Sequence, residues 1–281
     1  MGSLYPLTAG QSLGWNGQDI PPVGESILIV GAGRPFSLVQ NAVNACSERG
    51  VIYVMPGEYD EDVTVDKPLT IRGIGPRHSV RITGVAAGTS TPMTIDAASD
   101  VGLYNLNMEA RSGGDGLLMI GSIRRVEVLG CKVGGGTNAI RTSSTGTGTQ
   151  VFDWRVEDTL IHNATNGINI AYAGGADPNG QILVKGCRFS KIATDCIVQD
   201  GFTNDWEIVD NVFSAVSGTE PTRFLDIDDT STTGLVANNV FHTTVHATGK
   251  LKLAAGVLYV NNRTQAENPG TDAYAGSGRP D

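Results

Sequence analysis

Val236-Ala-Asn238-Asn-Val-Phe241 is the clearest copy of a stretch that the chain repeats. Upstream of it align Leu103-Tyr-Asn105-Leu-Asn-Met108, Val128-Leu-Gly130-Cys-Lys-Val133, Val156-Glu-Asp158-Thr-Leu-Ile161, Val184-Lys-Gly186-Cys-Arg-Phe189 and Ile208-Val-Asp210-Asn-Val-Phe213, and downstream Tyr259-Val-Asn261-Asn262. The third column reads Asn105, Gly130, Asp158, Gly186, Asp210, Asn238, Asn261. Gly, Asn and Asp are the residues that enter the left-handed backbone region at least cost, so this is a turn column. Its members lie 25, 28, 28, 24, 28 and 23 residues apart. A period in that range marks a solenoid, in which one repeat buries its apolar side only by stacking on the next.

The flanking apolar positions alternate as strands do, and short segments such as Gly167-Ile-Asn-Ile-Ala and Phe224-Leu-Asp-Ile-Asp supply further strands to each coil. The 37 glycines and the scarcity of long helical patterns agree with many short strands and tight turns. The predicted fold is all-β: a single right-handed parallel β-helix with an N-terminal capping helix. Asn211, Asn239 and Asn262, one step past the turn column, are expected to stack as an amide ladder inside the corner. Cys131 and Cys187 share that column two coils apart, too far for a disulfide.

An open solenoid exposes core at its ends, so caps are expected. Phe36, Val39, Val43 and Cys46 recur at helical spacing, which predicts a helix over residues 36–49 stopped by Gly50. Strands Val51–Pro56, Pro68–Arg72 and Val80–Thr83 follow. Residues 1–26 form a polar arm, 27–264 the β-helix and 265–281 a polar tail.

The helix followed by IYVMPGEYDEDVTVDKPLTIRGIG resembles the opening of pectin-lyase-like β-helix proteins, especially pectin methylesterases with their GxYxE segment, here Gly57-Glu-Tyr-Asp-Glu61. The resemblance spans roughly residues 27–264 and implies the fold more than the chemistry. That family carries aspartates in QDTL and DFIFG segments and an arginine in LGRPW. Only Glu157-Asp158-Thr-Leu160 approaches the first, and Asp158 already serves the turn column. No counterpart of the other two is present.

Other chemistry leaves weaker signals. Asp226 and Asp228, with Asp229 beside them, are the best candidate catalytic or calcium-binding carboxylates, and a solvated loop accounts for them equally. Asp205 with Glu207 is a second acidic pair of the kind glycosidases use. Trp154, Trp206, Tyr172 and Phe202 are candidate sugar-stacking or subunit-contact aromatics. His162 and His242 share a column three coils apart, and the cysteines lack zinc spacing, so no metal and no cofactor is expected.

The formal charge of −9 argues against nucleic acid or an anionic membrane as partner. The N-terminus shows no export signal and the chain no long apolar run. In architecture the sequence resembles bacteriophage tailspikes and capsid decoration proteins. The expected function is therefore that of a non-enzymatic structural protein of a virion, a homotrimer contacting other virion proteins through residues 1–26 and 265–281 and engaging a polysaccharide. A polysaccharide depolymerase, lyase or glycosidase, is the alternative.

Overall fold

Each aligned stretch folds as two short strands that meet at its third residue, as the computed structural model of the chain shows. The structure describes residues 26–85, 90–111, 113–144, 151–172, 179–200, 203–214, 221–227, 232–243 and 250–266. Ten parallel strands, from Ile27–Val30 to Gly256–Val260, build one sheet. Through it runs a single inward column in which Leu28, Ile52, Ile71, Leu103, Val128, Val156, Val184, Ile208, Val236 and Tyr259 face one another in turn. The alignment of the seven repeats is thus the register of the sheet, and three more coils continue it toward the N-terminus.

Beyond the turn, Tyr59, Ile82, Met108, Val133, Ile161, Phe189, Phe213 and Phe241 form the inward column of a second ladder. A third ladder stacks Ile95, Met119, Thr142, Ile170 and Gln199. The thirteen-residue strands Leu160–Tyr172 and Arg188–Asp200 belong to both, with a register shift between Ala164 and Asn166 where the wall bends. The chain is a right-handed parallel β-helix.

All seven turn-column residues have positive φ: Asn105 53°, Gly130 63°, Asp158 48°, Gly186 63°, Asp210 59°, Asn238 58° and Asn261 52°. One step on, Asn211 Nδ2 donates to Asn239 Oδ1 at 3.0 Å, and Asn239 Nδ2 to Asn262 Oδ1 at 2.9 Å. The Oδ1 atoms of Asn211, Asn239 and Asn262 accept the backbone N–H groups of Cys187, Asn211 and Asn239, respectively, at 2.8–2.9 Å. The ladder therefore satisfies backbone donors that a buried corner would orphan. In the core, the rings of Phe189, Phe213 and Phe241 stack with centroids 4.6 and 4.8 Å apart, the spacing of neighbouring strands. All four cysteines are free and buried, and burial pushes the Cys131 and Cys187 thiols up to about 12, which makes them inert packing groups.

The capping helix is shorter than the periodicity predicts, spanning Val39–Ala45. Phe36 instead makes an isolated bridge to Val30, Cys46 is extended, and Gly50 opens the strand Gly50–Val54. Arg49, with φ 62°, makes the turn assigned to Gly50. The helix start is set from outside, because the buried Glu61 carboxylate accepts the N–H groups of Val39 at 2.7 Å and Gln40 at 2.9 Å. The glutamate of the GxYxE segment is thus a structural clamp. At the other end the last strand, Arg263–Ala266, runs two residues into the segment assigned to the tail.

Two stability outcomes are expected in urea unfolding. Asn239→Ala removes the acceptor of the Asn211 amide and the donor to the Ile208 carbonyl, 2.8 Å away, and should cost about 2–4 kcal/mol, because buried partners are left unpaired. Glu61→Ala should cost about 1 kcal/mol, in the range of a lost helix cap.

Candidate functional site

The outer face of the ten-stranded sheet carries the site. Strand alternation sends every second residue out, and the register places Thr70, Gly102, Glu127 and Arg155 side by side in one outward row. Arg72, Tyr104, Leu129 and Glu157 form the next. At the head of these strands lies a second left-handed column: Asp100, Arg125, Asp153, Gln181 and Asp205, with φ between 53° and 57°. Each stands five residues before a turn-column residue (100/105, 125/130, 153/158, 181/186, 205/210). The pairing passes from Arg124↔Phe152 to Val126↔Trp154 without a change of register, so Arg125 and Asp153 stand opposite each other as an unpaired left-handed step that re-aims both side chains.

Between the left-handed column and the outward rows lies a cavity of about 390 Å³ lined by Thr70, Asp100, Val101, Gly102, Tyr104, Arg125, Val126, Glu127, Asp153 and Arg155. Gly102 forms its floor. A Cβ there would lie 2.5 Å from Cε2 of Tyr104, so any side chain would displace the ring. The Tyr104 hydroxyl donates to Glu127 Oε2, and Glu127 Oε1 pairs with Arg155. Arg155 Nε also lies 3.6 Å from Glu157. Arg125 grips Asp100 through two nitrogens, Nη2 at 2.8 Å from Oδ2. The Arg72 guanidinium covers the Tyr104 ring at 4.7 Å.

These contacts decide protonation. The hydrogen bond from Arg125 holds the Asp100 carboxyl below its ordinary range, so it is an acceptor at neutral pH. Burial, followed by the hydrogen bond to Glu127, pushes the Tyr104 phenol up to about 12, so it stays protonated. The groove thus presents fixed carboxylate acceptors and guanidinium donors around one aromatic ring, the inventory that a ligand rich in hydroxyl groups needs.

Most of the residues singled out from sequence lie elsewhere. Trp154 and Trp206 are each 1% exposed, which corrects their assignment as outward aromatics. They stand two residues before Val156 and Ile208 in the same strands and so share the inward face. Gly234 makes room for Trp206, whose Nε1 donates to Gln199 Oε1 at 3.1 Å. Asp226 is also corrected. It points outward but is 8% exposed, 2.6 Å from Arg223 Nη1 and 3.7 Å from Lys252 Nζ, and Arg223 in turn holds the buried Asp195 at 2.9 Å. This chain of charges ties successive coils together and is not a solvated loop. Asp228, Asp229 and Phe202, and the Tyr172 side chain, lie outside the described residues. Asp205 and Glu207 are exposed, and Asp205 belongs to the second left-handed column. Among the described residues no group of three or more His, Cys, Asp or Glu could hold a metal ion.

The alignment carried an overlooked signal of the groove, since Glu127 and Arg155 occupy the same repeat position in adjacent coils and must meet. Asp100 and Arg125 have no such signal, because Arg and Gln in their column hide its left-handed backbone.

No protein-family model matches the chain, and neither does any curated protein. Among solved structures it is similar to the pectin methylesterase of Aspergillus niger, with 17% identity, TM-score 0.62, 91% of this chain and 90% of that chain covered. It is also similar to the pectin methylesterase PemA of Erwinia chrysanthemi, with 11% identity, TM-score 0.60 and 89% and 92% covered. For the alginate lyase of Paenibacillus sp. str. FPU-7 the values are 14%, 0.56, 81% and 94%. The likeness is one of fold alone, the right-handed parallel β-helix.

A pH titration tests the electrostatics of the second ladder's outer face. His162 lies 4.0 Å from Glu109 Oε1, and burial, with Lys132 next, lowers it to about 4, with further contributions from Lys191 and His78. A histidine depressed by folding contributes stability that is complete above its unfolded value of about 6.5 and is lost as pH falls toward 4. The slope of unfolding free energy between those values should flatten in His162→Asn, measured by urea melts at stepped pH.

Proposed function

We propose that the chain is a non-enzymatic structural protein of a bacteriophage particle, a capsid decoration or tail component, that holds a surface glycan in the groove around Tyr104. The groove carries this reading. Its donors and acceptors are mounted on three consecutive strands of a rigid sheet, and the Asp100 carboxylate is held ionised by Arg125, the state of an acceptor and not of a general acid. The virion setting is supported by an unbroken stack of coils and by buried, unpaired cysteines. In this reading three copies assemble, and residues 1–26 and 265–281 contact other virion proteins.

A second reading, a polysaccharide depolymerase, is favoured by the chain Tyr104–Glu127–Arg155, in which a phenol, a carboxylate and a guanidinium are hydrogen-bonded in series. It needs a groove that cleaves what it binds.

One set of experiments separates the two. Purified protein is incubated with host surface polysaccharides and assayed for binding by calorimetry and for new reducing or unsaturated ends. Binding without new ends is expected, weakened about tenfold or more by Arg155→Ala. New ends that vanish in Tyr104→Phe would replace the structural reading with the enzymatic one. Native mass spectrometry should give three times the 29.4 kDa chain mass, and virion proteomics should find the chain.

A further inference from the structure

We infer that the groove selects a neutral, hydroxyl-rich polysaccharide and discriminates against uronate-bearing or otherwise anionic ones; this rests on the groove being the glycan site. The argument is one of charges already spent. The groove lining holds three carboxylates, Asp100, Glu127 and Asp153, against two guanidiniums, Arg125 and Arg155. Both guanidiniums are engaged inside the protein. Arg125 forms a two-nitrogen fork with Asp100, and Arg155 bridges Glu127 and Glu157, the latter at 3.6 Å. A ligand carboxylate that reached either arginine would have to displace a protein carboxylate of the same kind. It would gain one charge-assisted bond, break an equal one, and leave the displaced anion beside it.

A hydroxyl group meets no such penalty. Each carboxylate has about four acceptor directions and each guanidinium five N–H donors, so the internal pairs leave capacity on both partners. Adjacent acceptor and donor pairs fixed on neighbouring strands suit adjacent hydroxyl groups, which donate and accept at once. The surroundings act in the same sense. The outward row leads on from Arg155 through Leu183 to the carboxylate of Glu207. The protein as a whole carries a formal charge of −9, which adds repulsion of a polyanion at low ionic strength.

The test is calorimetric titration at low ionic strength with two panels: neutral malto-, cello-, manno- and galacto-oligosaccharides, and uronate oligomers (oligogalacturonate and oligoguluronate). The full chain and the double variant Asp100→Asn/Glu127→Gln are compared, both checked for unchanged circular dichroism and melting. The full chain should bind at least one neutral oligomer, with little dependence on salt, and uronates about tenfold or more weaker. The double variant, which frees Arg125 and leaves Arg155 only its longer 3.6 Å contact with Glu157, should gain uronate binding that salt abolishes. Uronate binding to the full chain as tight as neutral binding, and lost in Arg155→Ala, would overturn the selectivity while leaving the groove as the glycan site. Failure of the double variant to gain uronate binding would also overturn it. No binding of either panel would remove the glycan reading itself.

Discussion

Stacking at a constant strand spacing governs this protein. Every coil must present an inward side chain and satisfied backbone groups at the height of its neighbours, because a parallel sheet admits no slip without turning the core outward. The column from Leu28 to Tyr259 meets that demand across ten coils. The left-handed turn column follows from it. Seven coils close at the same corner through one residue that reverses the backbone there, and Gly, Asn and Asp do so at least cost. The asparagine ladder follows as well, since the buried corner leaves N–H groups that only a side chain can reach.

The same stacking builds the groove. Residues 25 to 28 apart in sequence become neighbours across a strand pair, so Glu127 meets Arg155 and Arg125 meets Asp100. The second left-handed column pays a conformational penalty at each non-glycine residue. In return it re-aims Asp100, Arg125 and Asp153 toward the cavity. Charge compensation within the protein then makes the groove polar without making it strongly anionic or cationic, and that balance is the basis of the selectivity inferred for it.

The N-terminal cap shows how a resemblance in sequence can carry structure without chemistry. Glu61 of the GxYxE segment reaches across to the first turn of Val39–Ala45 and fixes where that helix begins. A clamp of this kind is needed wherever a helix must close a β-helix, whatever the outer faces do. The shared fold with pectin methylesterases and an alginate lyase is consistent with this, while the aspartate and arginine segments expected of a methylesterase are missing from the chain.

The coil period, the turn column, the amide ladder and the presence of a cap were legible in the sequence, because each rests on a preference local to one residue type and is repeated often enough to be counted. The cap's length was misread, since its start depends on Glu61, some twenty residues away. Trp154 and Trp206 precede the aligned stretches that begin at Val156 and Ile208, and only strands that extend back past both set their rings inward. The acidic Asp226 was legible as a type but not as a partner of Arg223 and Lys252. What the tertiary structure alone decided was the rest of the groove: how the left-handed column turns Asp100 and Arg125 toward each other, and which charges are already neutralised. Those depend on the exact height at which one coil rests on the next, a quantity that no single coil's sequence contains.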